Sequence, residues 1–425
     1  MHRRSIIIAA LSTAVEWYDF TLYLYFATVL SRVFFGPGEA SLLTTLGGFA
    51  VAYLMRPVGA IVFGHIGDRR GRRPMLLISM LIMSAAMLAT ALLPTREQIG
   101  PAAAWALVLL RCVMGFSVGG EYTGVVAYLL ESAPPGRRGL VASMAAAASE
   151  VGALLAVGVS ALTVSLVSPA ELEGWGWRIP FFVGAALAAL IWIARSTMHE
   201  SPEFERLRDE GAIESAPLRH ALVHQRAGIL RAFAISALGS ITYYVGITYV
   251  PAFLTSLGTL TEARALWLST AAAVAVILVT PLVGLASDRV GRRPVLLTVA
   301  ALSAALPITI FSTMAGGTAV QVLGGALLLA LVAGAMSAVG AVATAEQFTG
   351  HARVSGLALG ATVATAIFGG LTPWGAQALV GATGWTAVPG VMIAIVALCV
   401  APVFWWMPET VSRRGGRPPA PSPLG

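Results

Sequence analysis

Six ionisable side chains, Glu16, Asp19, Arg56, Arg111, Glu121 and Glu150, stand inside stretches of this chain that are otherwise apolar. An ionisable group in hydrocarbon costs about 2.5–3.5 kcal/mol on insertion scales, so it faces a partner or a wet cavity. These residue types suit the handling of protons and small charged solutes. A carboxylate takes up and releases a proton, and an arginine attracts a carboxylate or tunes the acids beside it. Counting about 1.5 Å per helical residue from the ends of the stretches puts Glu16, Arg56, Glu121 and Glu150 about 15 Å deep, with Arg111 nearer the outside. Glu16, Asp19 and Tyr23 fall at i, i+3 and i+7 and so share one helix face. Arg111 and Tyr122 share another, with Glu121 to one side. Later in the chain the apolar stretches hold almost no charge; one of them offers Tyr243, Tyr244 and Thr248 ahead of Pro251. The expected pathway is therefore ionic in the first half and aromatic or hydroxylic in the second. Buried structural ion pairs are the plain alternative for the charged residues, and ring packing is the alternative for the tyrosines.

The elements that must carry these residues follow from composition. The chain has 425 residues, 57% of them hydrophobic and 11% charged, and its mean hydropathy is +0.82. An ordinary globular domain is about 25% charged. Twelve apolar stretches are long enough to span a bilayer, at about 5–31, 43–66, 75–94, 103–131, 139–167, 177–198, 228–257, 264–286, 295–314, 318–345, 354–382 and 385–407. Lipid cannot hydrogen-bond an open backbone, and the stretches lack the alternation of barrel strands. An all-α membrane protein is expected.

The net charge of +7 does not describe a nucleic-acid surface. All 27 basic residues are arginine, and most lie in the amino terminus, the even-numbered turns and the tail. That bias predicts cytoplasmic termini. Cys112 and Cys399 read as packing residues. Gly115, Ser117 and Gly119 match a hydrolase elbow formally, but the strand–turn–helix context it needs is missing. The glycines suit close helix packing instead. With no Walker loop, dinucleotide fingerprint or metal-ligand cluster, neither a cofactor nor a metal is expected, and the chain does not read as an enzyme.

Residues 64–77 and 284–297 are nearly the same segment, 220 residues apart and identical at nine of fourteen positions. Each reads as a short basic loop between two spans. Glu131, Arg138, Gly139 and Leu140 are echoed by Glu346, Arg353, Gly356 and Leu357. Two fused copies of one six-helix unit are therefore expected, related by an axis along the membrane normal. The expected division is 1–198 and 228–407 for the two bundles, 199–227 for a cytoplasmic linker and 408–425 for a short, disordered tail.

These residues resemble the major facilitator superfamily. Gly67, Asp68, Arg69, Arg72 and Arg73, repeated as Asp288, Arg289, Arg292 and Arg293, are similar to its signature loop. Glu200-Ser201-Pro202 and Pro408-Glu409-Thr410 resemble sugar-porter landmarks. Glu16-Trp17-Tyr18-Asp19-Phe20, Arg56-Pro57-Val58-Gly59 and Gly119-Gly120-Glu121 with Glu131-Ser132-Ala133-Pro134 resemble the metabolite:proton symporter family, which carries proline, betaine, shikimate, 2-oxoglutarate and citrate. The resemblance implies alternating access around a central site. It also implies a cytoplasmic gate in which Asp68 meets the start of helix 11 near Arg353, and Asp288 the start of helix 5 near Arg138. Glu131 and Glu346 belong to the same gate. The expected activity is proton-coupled uptake of a small organic acid or zwitterion across a bacterial inner membrane. The expected partners are that solute, protons and the lipid bilayer, and the protein is expected to act as a monomer. Proton-driven export is the alternative. The short tail counts against osmosensing, and Glu150 matches no motif of the family.

Overall fold

The computed structural model describes residues 3–36, 39–119, 121–133, 137–212, 217–348 and 353–410, and every regular element among them is helical. The first half comprises α1 (Arg3–Tyr25), α2 (Glu39–Arg70), α3 (Arg72–Ala91), α4 (Ala102–Val118, resumed as Glu121–Ser132), α5 (Arg138–Leu166) and α6 (Arg178–Ser196). The second comprises α7 (Arg226–Tyr243, continued to Ser256), α8 (Glu262–Val290), α9 (Arg292–Ala305 with Pro307–Met314), α10 (Ala319–Ala345), α11 (Arg353–Leu357, continued to Thr383) and α12 (Val388–Trp406). The twelve segments follow the expected order.

Nine helices among the described residues are long and apolar enough to cross a membrane, or ten if the two pieces of α9, bent by 41°, form one span. The other two segments, α1 and α4, are not among these; α1 carries Glu16 and Asp19, and the described helix of α4 ends at Val118 and resumes at Glu121. Backbone hydrogen bonding widens to π-helical turns at Tyr244–Thr248 in α7 and Ala358–Thr362 in α11. Such turns recur at functional sites because they re-aim side chains.

The halves meet where α5 lies along α8 and α2 lies along α11. Within the first half, Gly115 and Gly119 let α4 approach α2 so closely that an added Cβ would strike the Ala52 and Arg56 carbonyls. The glycine-rich run of α4 is thus a packing surface, as expected.

The basic loops are shorter than the sequence suggests. Asp68–Arg70 close the last turn of α2, Arg72–Pro74 open α3, and Gly71 alone reverses the chain at φ +111. Gly291 does the same between α8 and α9 at φ +113. The expected linker also carries structure, folding into short helices at Pro202–Asp209 and Pro217–His224. Ser201 caps the first of these, accepting the Phe204 N–H at 3.2 Å, and Phe204 and Leu207 are buried. The tail is not disordered from its start: Glu409 and Thr410 are held in place, while 411–425 lie outside the described residues.

Candidate functional site

A cavity of about 140 Å³ lies between the halves, walled by α1, α2, α4 and α5 on one side and α7, α10 and α11 on the other. About 150 Å³ holds benzene in an engineered apolar cavity, so this space suits one small metabolite. Trp17, Arg56, Glu150, Tyr243 and Tyr244 reach it. Glu150 is only 3% exposed, and its Oε2 accepts a hydrogen bond from Tyr243 Oη at 3.3 Å. It forms no ion pair among the described residues. A buried carboxylate without a cation is costly, which makes this the most conspicuous group in the molecule. The indole of Trp17 stands edge-on to the Tyr243 ring at 5.0 Å and stacks near Tyr244 at 6.2 Å.

Arg56 reaches the same cavity with its charge already engaged. Its Nη2 donates to Glu16 Oε1 at 2.8 Å and its Nη1 to Tyr53 Oη at 2.5 Å. Tyr53 in turn donates to Tyr244 Oη at 2.7 Å, linking α2 to α7 across the halves. The guanidinium lies 4.8 Å from the ring centres of both Phe20 and Tyr53.

The remaining membrane charges lie away from this space. Arg111 Nη1 pairs with Asp19 Oδ2 at 2.9 Å, and its Nη2 donates to Thr90 Oγ1 at 3.0 Å. The Tyr23 ring lies 5.7 Å from that guanidinium, while its hydroxyl donates to the Thr45 carbonyl at 3.1 Å. Glu121 pairs with Arg195 and accepts from Ser79 Oγ at 2.5 Å; Arg195 also donates to Ser12 and to the Leu76 carbonyl. Arg195, 1% exposed, is a buried cation that the sequence reading missed. Near the end of α6, it is indistinguishable in sequence from the arginines of the basic turns. The available signal was the excess of four buried acids over two arginines.

One further expectation needs correcting, and one falls outside what the structure describes. Thr248 does not face the central cavity; it lines a separate one of about 130 Å³ with Tyr25, Thr28 and Tyr249. The side chain of Tyr122 lies outside the described residues.

At one end of the bundle the repeated motifs form a network within and across the halves. Arg72 pairs with Asp68 at 2.7 Å and Glu131 at 3.1 Å, and donates to the Gly67 carbonyl at 2.5 Å. Arg292 pairs with Asp288 at 2.8 Å and Glu346 at 3.2 Å. Glu200 accepts from the backbone N–H groups of Arg72 and Arg73 at 3.0 and 3.1 Å, and Glu409 from those of Arg292 and Arg293 at 2.9 and 3.1 Å. A carboxylate is favoured at a helix start by the free N–H groups and the dipole. Burial pushes the Glu200 carboxyl above its ordinary range, and these backbone bonds pull it part of the way back.

At this end, three sets of contacts among the described residues cross between the halves. Asp68 Oδ2 accepts from Ser355 N at 2.9 Å and Oγ at 2.7 Å. Asp288 accepts from Gly139 N and Leu140 N, both at 2.9 Å. Arg353 pairs with Glu131 at 3.1 Å and with Glu203 at 3.2 Å. Both aspartates stand at the expected helix starts, but the echo shifts: Ser355, not Gly356 or Leu357, bonds Asp68 as Gly139 and Leu140 bond Asp288. Arg69, Arg138 and Arg289 are exposed and take no part in the described ion pairs. Arg73 is exposed too, although its Nη2 donates to the Ser196 carbonyl at 2.7 Å. The guanidinium of Arg293 lies 5.5 Å from the Trp405 ring.

This geometry of paired six-helix halves with repeated motif networks finds matches among known proteins. The family described as "Sugar (and other) transporter" matches residues 5–217, and "Major Facilitator Superfamily" matches residues 259–424. The glycine betaine/proline/ectoine/pipecolic acid transporter OusA of Dickeya dadantii (strain 3937) is 32% identical over 98% of this chain and 86% of that protein. The chain belongs to the major facilitator superfamily. Within that superfamily it groups with the metabolite:proton symporters. The alpha-ketoglutarate permease of Escherichia coli (strain K12) is 33% identical over 88% of this chain and 87% of that one. The proton:xylose symporter XylE, solved with 6-bromo-6-deoxy-D-glucose, superposes with a TM-score of 0.79 at 20% identity, covering 96% of each chain, and shares the fold. The protein is thus a multi-pass membrane transporter of the major facilitator type, and its central cavity lies at the interface of the two halves.

Proposed function

We propose that this protein takes up a small organic acid or zwitterion, the zwitterion favoured, together with protons across a bacterial inner membrane. Glu150 carries the choice: a buried, cavity-facing carboxylate without a cation repels a dianion and receives an ammonium group. Trp17, Tyr243 and Tyr244 beside it offer ring faces, worth about 0.5–2 kcal/mol each to a cation. Arg56 supplies the complementary group for a carboxylate. The similarity to OusA, named for glycine betaine, proline, ectoine and pipecolic acid, supports this reading. Glu16, Asp19 and Glu121 are the candidate proton carriers, since a neutralised acid lowers the cost of moving the loaded site.

The motif network serves as a gate on the cytoplasmic side, where both termini lie. Two bundles, 1–198 and 228–407, rock about the central site; 199–227 is the cytoplasmic linker and 408–425 the cytoplasmic tail. The protein works as a monomer and catalyses no reaction.

Uptake into sealed liposomes with an imposed inward proton gradient tests the proposal. Radiolabelled glycine betaine or proline is expected to accumulate, and citrate and 2-oxoglutarate are not. Glu150→Gln is expected to cost about 30-fold or more in kcat/KM, as about 2 kcal/mol or more follows loss of one buried charge partner. Uptake of dianions alone, or full uptake by Glu150→Gln, refutes the reading. Flux only outward, in exchange for protons, establishes export.

A further inference from the structure

Four arginines of the first half, Arg56, Arg72, Arg111 and Arg195, are buried with carboxylates, and among the described residues only Arg56 also faces the central cavity. Its partner Glu16 lies behind it, 1% exposed and outside the cavity lining. One oxygen of Glu16 is occupied by Arg56 at 2.8 Å; the other, Oε2, is buried with no hydrogen-bond partner among the described residues. The charged groups facing Glu16 are Arg56 on α2, Glu121 on α4 and Arg195 on α6, with Tyr53 and Tyr244 close by. Arg195 is committed to Glu121, and Glu150 on α5 bonds Tyr243. Arg56 is therefore shared between an acid that can be protonated and a space that receives a solute.

We infer that Arg56 exchanges partners during transport: a proton taken up by Glu16 frees it to bind the substrate carboxylate. This rests on the zwitterion reading and assigns its coupling step. The proton adds to a Glu16 carboxylate oxygen, and the Arg56–Glu16 ion pair opens. The Nη2 donor of Arg56 then turns to the substrate carboxylate while Glu150 holds the ammonium. Phe20 and Tyr53 keep the guanidinium in place through their ring faces in both arrangements. No covalent bond to the substrate forms or breaks.

Charge balance makes the scheme specific. With Glu16 and Glu150 ionised and Arg56 cationic, the empty site carries one net negative charge. With Glu16 protonated and a zwitterion bound, it is neutral. Each cycle therefore carries in one proton and one positive charge per solute. Tyr53 spans Arg56 and Tyr244, so the exchange is also felt on α7, across the cavity.

The test uses Glu16→Gln, an imitation of the protonated acid, in sealed liposomes with radiolabelled glycine betaine or proline. A gradient of about one pH unit lets a one-proton symporter accumulate solute about tenfold. Wild type is expected to approach that ratio. Glu16→Gln is expected to fall to about onefold, with counterflow exchange retained within about twofold and no longer dependent on pH. Gradient-driven accumulation by Glu16→Gln, or loss of counterflow by a folded variant, overturns the exchange. A second measurement needs no variant. Calorimetric titration of the detergent-purified protein in buffers of different ionisation enthalpy is expected to show about one proton taken up per zwitterion bound at neutral pH. Uptake of none overturns the inference. A wild type that binds no zwitterion sinks the underlying reading instead.

Discussion

Among the individual residues, the buried charges separate into two kinds. Asp19–Arg111 and Glu121–Arg195 are enclosed pairs whose partners are further satisfied by Thr90, Ser79, Ser12 and a carbonyl. Glu150 and Arg56 line the central cavity. Removing one member of an enclosed pair leaves an uncompensated charge, which costs about 3–5 kcal/mol, whereas replacing both with apolar residues of similar volume is near neutral. Arg195→Ala is accordingly expected to abolish a monodisperse peak in detergent size-exclusion chromatography. Glu121→Met with Arg195→Met is expected to restore it. Failure of the double variant to recover would mean that Glu121 has work beyond pairing. Glu150 was legible in the sequence because its neighbours Ser149 and Val151 sit deep in an uncharged run. Arg195 was not, because an arginine one turn from a helix end looks the same whether it turns to headgroups or inward.

The elements themselves were legible from hydrophobic run length, and their joints were not. A run of apolar residues says where lipid lies, but Asp68, Arg69, Asp288 and Arg289 are polar and still helical, so α2 and α8 outlast their apolar cores by about a turn. What ends them is a glycine with positive φ whose Cβ position is filled by a carboxylate: Glu200 beside Gly71 and Glu409 beside Gly291. A side chain at Gly71 therefore meets both backbone strain and a collision. Strained backbone of this kind costs about 1–3 kcal/mol. Gly71→Ala is expected to lower the thermal midpoint in detergent clearly more than Gly100→Ala. Gly100 has φ +65 and open space around it. Equal losses for the two would show that Glu200 does not fill the turn.

For the molecule as a whole, the repeat announced two similar halves, and the networks around Arg72 and Arg292 bear that out. The differences between the halves were hidden. Arg353 crosses to Glu131, while its counterpart Arg138 points to solvent; pattern matching cannot tell these apart because the linker residue Glu203 supplies part of the reason. On the proposed gating role, the crossing contacts hold the motif-bearing end shut, each with a carboxylate as acceptor. Asp68→Asn with Asp288→Asn removes two of those charges and is expected to favour opening at that end. In a background lacking Cys112 and Cys399, Ser337→Cys reports on the central cavity. Its labelling by an impermeant maleimide from the motif side is expected to rise severalfold in the double variant. Unchanged labelling would mean that the closed state rests on packing of α5 on α8 and α2 on α11 alone.

Glu200 follows the sixth helix and Glu409 the twelfth, and each reaches back to the turn between the second and third helices of its own set. The final residues of either set thus tie down an early corner of that same set, like a strap sewn to its own bag. A lone ancestral copy would already have possessed the fastening, so joining two in tandem required a connecting thread and no new clasp.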